Sequence, residues 1–430
     1  MDICIIGAGH VGLVTGACFS DLGNHVVCVD NNRKRILSLK SGQTPFYEPG
    51  LEQLVRHNQA QGRLTFTTQI AQGVRRSKVI FIAVGTPPLP SGDADLTGVE
   101  SVVRQIALGM TGYRLIVEKS TVPVETGRWI GLTLKNFVRK KASFDVASNP
   151  EFLREGSAVN DFLHPDRIVV GVESPRARLI FEELYKPFDA PLVVTDIASA
   201  ELIKHASNAF LATKVSFINA VSVLCERVGA DVEKVALGVG LDRRIGASFL
   251  RAGVGYGGFC LPKDIEAFIR IAEKHGYDFA LLKAVKRINE DQRLLVVRKV
   301  EEQLWNLKDK KVGILGLAFK PDTDDMRFAP SIEVIEALRR AGATIQAFDP
   351  QAMPEAKSMM NGISFAKDAY GCAKGCDCLV VMTEWNEFKE LDLSRLKRLM
   401  RQPVVVDGRN LYDPATLRRL GFRYVGMGRQ

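Results

Sequence analysis

Short continuous apolar runs separated by amphipathic stretches mark both ends of the chain. Residues 3–6, 25–29 and 78–84 read as strands, and 11–22 carries apolar positions at helical spacing, which together make a βαβ rhythm. Strands that are apolar without alternation predict a parallel sheet buried on both faces, with helices supplying the crossovers. Between about Thr195 and Leu304 the strand-like runs stop, and 196–226 and 281–304 read as long helices. The first rhythm returns near Lys310, with strands at 311–315 and 344–348, the latter ended by Asp349, and a helix at 331–341 between them. Residues 378–382 and 403–406 supply two more strands. The expected fold is therefore α/β, two doubly wound domains (1–195 and 305–430) joined by a helical central region (196–304).

Composition refines this picture in three ways. The net charge of +9 is spread along the chain, not gathered in a basic block with interleaved aromatics, which disfavours nucleic acid and suits a small polyanionic ligand. The N-terminus lacks a basic segment and turns glycine-rich early, and no apolar run approaches membrane-spanning length, so a cytoplasmic protein with no membrane partner is expected. Eight cysteines scattered over a long chain predict reduced thiols, and Cys372, Cys376 and Cys378 lack the paired spacing and neighbouring histidines of a zinc site. No metal is expected.

Gly7-Ala8-Gly9-His10-Val11-Gly12 fits G-x-G-x-x-G after a strand and at the start of a helix, and Asp30 closes the next strand. In that context Gly7 permits a tight turn, Gly9 lets backbone approach a pyrophosphate, Gly12 lets helix pack on strand, and the helix N-terminus stabilises phosphate charge. These features make the first domain Rossmann-like. The Asp30 carboxylate favours NAD by accepting hydrogen bonds from the ribose hydroxyls, while Arg33, Lys34 and Arg35 leave room for NADP.

The most unusual stretch is Gly253-Val254-Gly255-Tyr256-Gly257-Gly258-Phe259-Cys260-Leu261-Pro262-Lys263-Asp264. It delivers one cysteine on a glycine-dense loop beside a lysine and an aspartate, an arrangement that suits a thiolate nucleophile approached closely by substrate. Lys204 and Asn208, four residues apart in a helical stretch, share a face and aim a cation and an amide donor in one direction. Each of these features has an ordinary structural reading on its own, a buried thiol and a solvated lysine; their combination carries the chemistry.

With Gly85-Thr86-Pro87, Ser120-Thr121-Val122-Pro123, Asn149-Pro150-Glu151-Phe152-Leu153-Arg154-Glu155-Gly156, Gly316-Leu317-Ala318-Phe319-Lys320 and Arg327 in the same order, the sequence resembles the UDP-glucose/GDP-mannose dehydrogenase family over nearly its whole length. The resemblance implies a second Rossmann-like domain that binds a UDP-sugar, and NAD-dependent oxidation of a sugar CH2OH to a carboxylate. It implies a nucleophile at Cys260, an oxyanion held by Lys204 and Asn208, and a water and proton network of Asp264, Thr121 and Glu151. By the same resemblance the cofactor contacts are Gly7, Gly9, Val11, Gly12, Asp30, Arg35, Thr86, Thr121, Glu155, Lys263 and Arg327. The sugar nucleotide would meet Glu151, Phe152, Leu153, Lys204, Asn208, the segment Phe249-Leu250-Arg251-Ala252-Gly253, Gly257 and Lys320, and Arg244 would reach a neighbouring subunit's site in a homodimer paired through the helical middle.

Gly255-Tyr256-Gly257-Gly258 and Thr383-Glu384-Trp385-Asn386-Glu387-Phe388 resemble the UDP-glucose branch, whereas Phe259 stands where many such sequences carry serine. UDP-glucose is the expected substrate. GDP-mannose, a UDP-N-acetylhexosamine, a two-electron oxidation of a hydroxy acid and a non-catalytic NAD-binding role stay open.

Overall fold

The computed structural model describes residues 1–139 and 141–429, and the chain divides into two compact units, 1–207 with 266–275 and 208–265 with 276–430. An eight-stranded sheet forms the centre of the first unit. Its strands are β1 (Asp2–Ile6), β2 (His25–Val29), β3 (Leu64–Thr67), β4 (Val79–Ile82), β5 (Tyr113–Glu118), β6 (Ser143–Ser148), β7 (Ile168–Val172) and β8 (Leu192–Thr195), in the order β3-β2-β1-β4-β5-β6-β7-β8. Alternate residues of each central strand enter opposite cores: Ile3, Ile5 and Phe81 on one face, Cys4, Ile6, Ile80 and Ile82 on the other. Burial on both faces is why these strands read as unbroken apolar runs.

Neighbouring strands run parallel except β6 and β7, which pair antiparallel. The wholly parallel sheet expected from the sequence is corrected at this junction. The helix in the β6–β7 connection, Ala158–Leu163, has 6 residues, and antiparallel neighbours need no longer crossover to return the chain.

The second unit is centred on β9 (Lys311–Leu315), β10 (Thr344–Phe348), β11 (Ser364–Phe365), β12 (Cys378–Val381), β13 (Val404–Asp407) and β14 (Arg423–Val425), ordered β11-β10-β9-β12-β13-β14 and parallel throughout. Strand order reverses between β1 and β4 in one sheet and between β9 and β12 in the other. Such switch points place a crevice outside the carboxyl ends of the strands. Cys372, Cys376 and Cys378 are buried in this unit, where burial, the largest influence, pushes their thiols up, Cys376 to about 11.

The helices that position the candidate site are α1 (His10–Asp21), α2 (Thr126–Phe137), α3 (Ile197–Val228), α4 (Val232–Gly240), α5 (Cys260–Lys274), α6 (Ala280–Leu304) and α7 (Pro330–Arg340). Helices α3 and α5 each contribute residues to both units. By length and composition α3 is apolar enough to cross a membrane, which corrects the expectation that no stretch reaches that length. Its polar face is nonetheless committed to packing in the second unit: Ser216 Oγ donates to Val285 O at 2.9 Å, Gln292 Nε2 to Asn219 O at 3.0 Å, and Gly253 N to Asn219 Oδ1 at 2.8 Å.

Candidate active site

The dinucleotide turn of the first unit forms where β1 meets α1. Gly7 adopts φ +103°, and a Cβ there would lie 2.3 Å from Ala83 O at the end of β4. A Cβ at Gly12 would lie 1.9 Å from Gly7 O, so only glycine lets α1 sit on the turn, whereas at Gly9 a Cβ would meet nothing within 4 Å. That open side, at an N-cap with no capping side chain, leaves the first-turn N–H groups of α1 to a ligand, the setting a pyrophosphate needs. Val11 continues the first turn of α1 beside it.

Asp30 is buried, and its Oδ2 accepts from Ala8 N at 2.9 Å and Arg35 Nη1 at 2.8 Å, its Oδ1 from Asn32 N at 2.8 Å. Arg35 is thus engaged with the carboxylate and does not stand free for a phosphate. Thr86 Oγ1 donates to Thr121 O at 2.8 Å, joining the loops after β4 and β5, which the sequence named separately. The residues present fit NAD: an open glycine at a helix N-terminus with a fixed carboxylate at the end of β2.

A second cluster in the same unit gathers Glu151, Lys204, Phe152 and Leu153. Lys204 Nζ donates to Glu151 Oε1 at 2.9 Å, Leu153 N to Glu151 Oε2 at 2.6 Å, and the Arg167 guanidinium lies 3.7 Å from the Phe152 ring centre. Burial alone would raise the Glu151 carboxyl, but the Lys204 charge and hydrogen bond, the Leu153 N–H and the Lys119 charge together hold it below the usual carboxylate range. Glu155 is half-buried four residues on.

The second unit holds the cysteine loop, and Cys260 is the first residue of α5. A helix N-terminus favours negative charge at that position. Asp264, one turn on, accepts from Asn208 Nδ2 at 2.6 Å and from Lys263 Nζ at 2.7 Å. Asn208 therefore sits one turn from Lys204 on α3, yet each is committed to a different carboxylate.

Gly257 and Gly258 let the loop pass close to its neighbours: a Cβ at Gly257 would meet Phe328 O at 2.5 Å, and one at Gly258, with φ +80°, would meet the Phe319 ring at 2.7 Å. Phe259 is flanked by cations, with Arg327 4.4 Å and Lys263 5.6 Å from its ring centre. Phe249 adopts φ +65°, Leu250 and Ala252 are buried, Arg251 is exposed, and Lys320 lies 5.6 Å from the Phe319 ring centre. Gly253 packs against Gly408 O. Arg244 is exposed and pairs with its near neighbour Asp242.

Two residues not singled out from the sequence organise these loops. In the first unit Glu48 accepts from His10 Nε2 at 2.7 Å, Gly156 N at 2.8 Å and Ala158 N at 2.8 Å, tying the glycine turn to the segment after Glu151. In the second, Arg409 donates to Met382 O at 2.8 Å, Phe319 O at 2.9 Å and Gly255 O at 3.3 Å. Their partners are remote in sequence, so no local spacing announces either residue.

An open dinucleotide turn on one doubly wound unit, and a glycine-set cysteine at a helix start on another, define the class: an NAD-binding α/β oxidoreductase. The chain belongs to the UDP-glucose/GDP-mannose dehydrogenase family. The family's NAD binding domain matches residues 1–189, its central domain 198–291 and its UDP binding domain 313–414. A UDP-glucose 6-dehydrogenase of Bacillus subtilis (strain 168) is 48% identical over 99% of this chain and 93% of its own length, and one of Rhizobium meliloti (strain 1021) is 47% identical over the full length of both. Among solved structures, a UDP-glucose dehydrogenase from Pyrobaculum islandicum superimposes with a TM-score of 0.94 at 40% identity, covering 100% of this chain and 98% of the other. A UDP-D-ManNAc dehydrogenase from Pyrococcus horikoshii follows the same fold at TM-score 0.88 and 26% identity, covering 100% and 99%.

Proposed function

We propose that this chain oxidises UDP-glucose to UDP-glucuronate, taking the sugar CH2OH to COO⁻ with two NAD and one water per substrate and releasing two NADH and three protons. The observation that carries this reading is Cys260 at the start of α5, on a loop where glycines admit close approach and Asp264 is fixed by Asn208 and Lys263. Full-length likeness to UDP-glucose 6-dehydrogenases supports the substrate. The turn at Gly7, Gly9 and Gly12 with Asp30 would hold NAD, which supplies the hydride acceptor for both two-electron oxidations.

In this scheme Cys260 Sγ adds to the aldehyde carbon to give a thiohemiacetal, so the reactive intermediate stays bound until it is oxidised to a thioester. Glu151, ionised beside Lys204, takes the proton of the sugar hydroxyl and later that of the attacking water, with Thr121 and Asp264 orienting the water. Lys204 and Asn208 leave their carboxylate partners to donate to the oxyanion of the tetrahedral intermediate. Collapse of that intermediate breaks the C–S bond, expelling the Cys260 thiolate and leaving the uronate. Arg244, Phe249 to Gly253, Gly257 and Lys320 contact the sugar nucleotide, and Thr86, Glu155, Lys263 and Arg327 the cofactor.

The reading includes a homodimer of a cytoplasmic protein. Phe210, Phe217 and Leu224 recur every seventh residue along α3 and are 66%, 55% and 58% exposed, an apolar stripe that a second copy would cover.

The test measures NADH formed per substrate consumed over UDP-glucose, GDP-mannose, UDP-N-acetylglucosamine and UDP-N-acetylmannosamine, with the Cys260→Ser variant in parallel. Two NADH with UDP-glucose and near-abolished uronate release by the variant are expected. Two NADH with another sugar would transfer the substrate to that nucleotide; one NADH, or full turnover by Cys260→Ser, would overturn the covalent four-electron scheme.

A further inference from the structure

A lysine with little access to water sits behind the proposed base. Lys119 follows β5, is 4% exposed, and its Nζ donates to Asn149 O at 3.2 Å and Asn149 Oδ1 at 3.1 Å. Asn149 is otherwise fully engaged: its N donates to Glu118 O at 2.8 Å, its Nδ2 to Val169 O at 2.8 Å, and its Oδ1 also accepts from Tyr185 OH at 2.5 Å. Asn149 and Pro150 lead directly into Glu151, so the place of that carboxylate is set by how firmly Asn149 is held. Burying an ammonium group costs several kcal/mol unless partners compensate, and here the compensation comes from one asparagine and from nearby carboxylates.

We propose that Lys119 is a positioning residue for the oxidation chemistry: through Asn149 it fixes the turn that presents Glu151, and it sets a second buried cation, besides Lys204, near that carboxylate. This inference rests on the reading of Glu151 as the base.

The charges around the cluster act in a definite order. Glu151 faces Lys204 from α3 and Lys119 from the end of β5; Lys119 faces Glu151, Lys204 and Glu118; Glu118 faces Glu201 from α3. Burial brings the Lys119 ammonium down to about 8, with the Glu151 charge opposing that fall. Burial, then Glu201, drives Glu118 well above the usual carboxylate range, and Lys204 and Lys119 are the two cations whose charge favours ionised Glu151. Removing one of them makes the Glu151 carboxylate harder to form.

The experiment compares wild type, Lys119→Met, Tyr185→Phe and Glu151→Gln in pH profiles of kcat and KM with UDP-glucose and NAD. Lys119→Met keeps most of the length of the side chain and removes its charge and hydrogen bonds. It should lower kcat about tenfold to a hundredfold with KM for NAD within about threefold, as misplacement of a reacting group does. The acid limb of its kcat profile should move up by about one pH unit. Tyr185→Phe, which removes one bond to Asn149 and no charge, should lower kcat a few-fold and leave the acid limb in place, and it carries the positioning test if Lys119→Met fails to fold.

Unchanged kcat and acid limb in folded Lys119→Met, or unchanged kcat in Tyr185→Phe when Lys119→Met does not fold, would overturn the inference while Glu151→Gln remained inactive. Full turnover by Glu151→Gln would instead overturn the role of Glu151 itself, and the positioning role with it.

Discussion

The two units make the same turn and put it to different use. In each, the first strand of the switch point ends in a glycine with positive φ, Gly7 at +103° and Gly316 at +95°, whose N–H donates to the end of the neighbouring strand, to Val29 O at 2.7 Å and Phe348 O at 2.9 Å. Each turn also donates N–H groups to an aspartate after that neighbour, Ala8 to Asp30 and Leu317 and Ala318 to Asp349. In the first unit the turn runs straight into α1, and Gly9 faces open space.

In the second unit no helix follows until α7 at Pro330; Ala318 replaces the open glycine, and its carbonyl accepts from Thr383 Oγ1 at 2.6 Å. Asp349 takes five donors in all, from Leu317, Ala318, Gln351 and Ala352 N–H and Trp385 Nε1. A carboxylate has about four lone-pair sites, so Asp349 has no capacity left for a ribose. The same backbone device leaves room for a cofactor where a helix start and an open glycine accompany it, and is a structural clasp where they do not.

The largest expected effect breaks the first turn outright. Gly12→Ala places a Cβ against Gly7 O, a backbone atom with no room to yield; overpacking of this kind costs roughly 1–3 kcal/mol or more, and NAD binding should be lost by calorimetry.

Next comes a matched pair. Asp349→Asn should lower stability by roughly 2–4 kcal/mol, because buried N–H groups lose their acceptor, and leave KM for NAD unchanged. Asp30→Asn should raise KM for NAD about tenfold, the loss of a charge-assisted hydrogen bond, with a smaller drop in melting temperature. If Asp349→Asn moved KM for NAD as much as Asp30→Asn does, the two turns would not differ in use.

The smallest effect concerns a buried carboxylate of the first unit only. Glu201 accepts from Glu125 N at 2.8 Å and Gly127 N at 2.7 Å at the start of α2, and burial pushes its carboxyl up to about 7 in spite of those bonds. A raised carboxyl favours the protonated folded state, so its contribution is full below about pH 4.5 and fades as pH rises through about 7. The melting temperature of wild type minus that of Glu201→Gln should therefore fall between pH 4.5 and 7; a constant difference would show that Glu201 does not titrate in this range.

Much of this was legible because the signals are local. The glycine turn with Asp30, the strand that Asp349 follows, and the two long helices all lie in short windows whose periodicity or glycine spacing states the geometry. The α3 bounds, Ile197–Val228, differ from the expected 196–226 by a residue or two, as fraying ends do. The antiparallel β7 was not legible, because its apolar residues look the same whichever way the strand runs. Nor was the closed state of the second turn, which depends on Thr383 and Trp385 arriving from beyond β12.

The sequence by itself determined the class of fold, the family, the dinucleotide turn and the set of residues to watch, because each depends on residues adjacent in the chain or on motifs in fixed order. Tertiary structure alone decided the partners of those residues. It paired Lys204 with Glu151 and Asn208 with Asp264, and joined Lys119 to Asn149. Partner choice is settled by hydrogen-bond geometry and burial among segments 30 or more residues apart in the case of Lys119 and Asn149, and 53 and 56 apart in the other buried pairs, distances over which no sequence pattern carries direction.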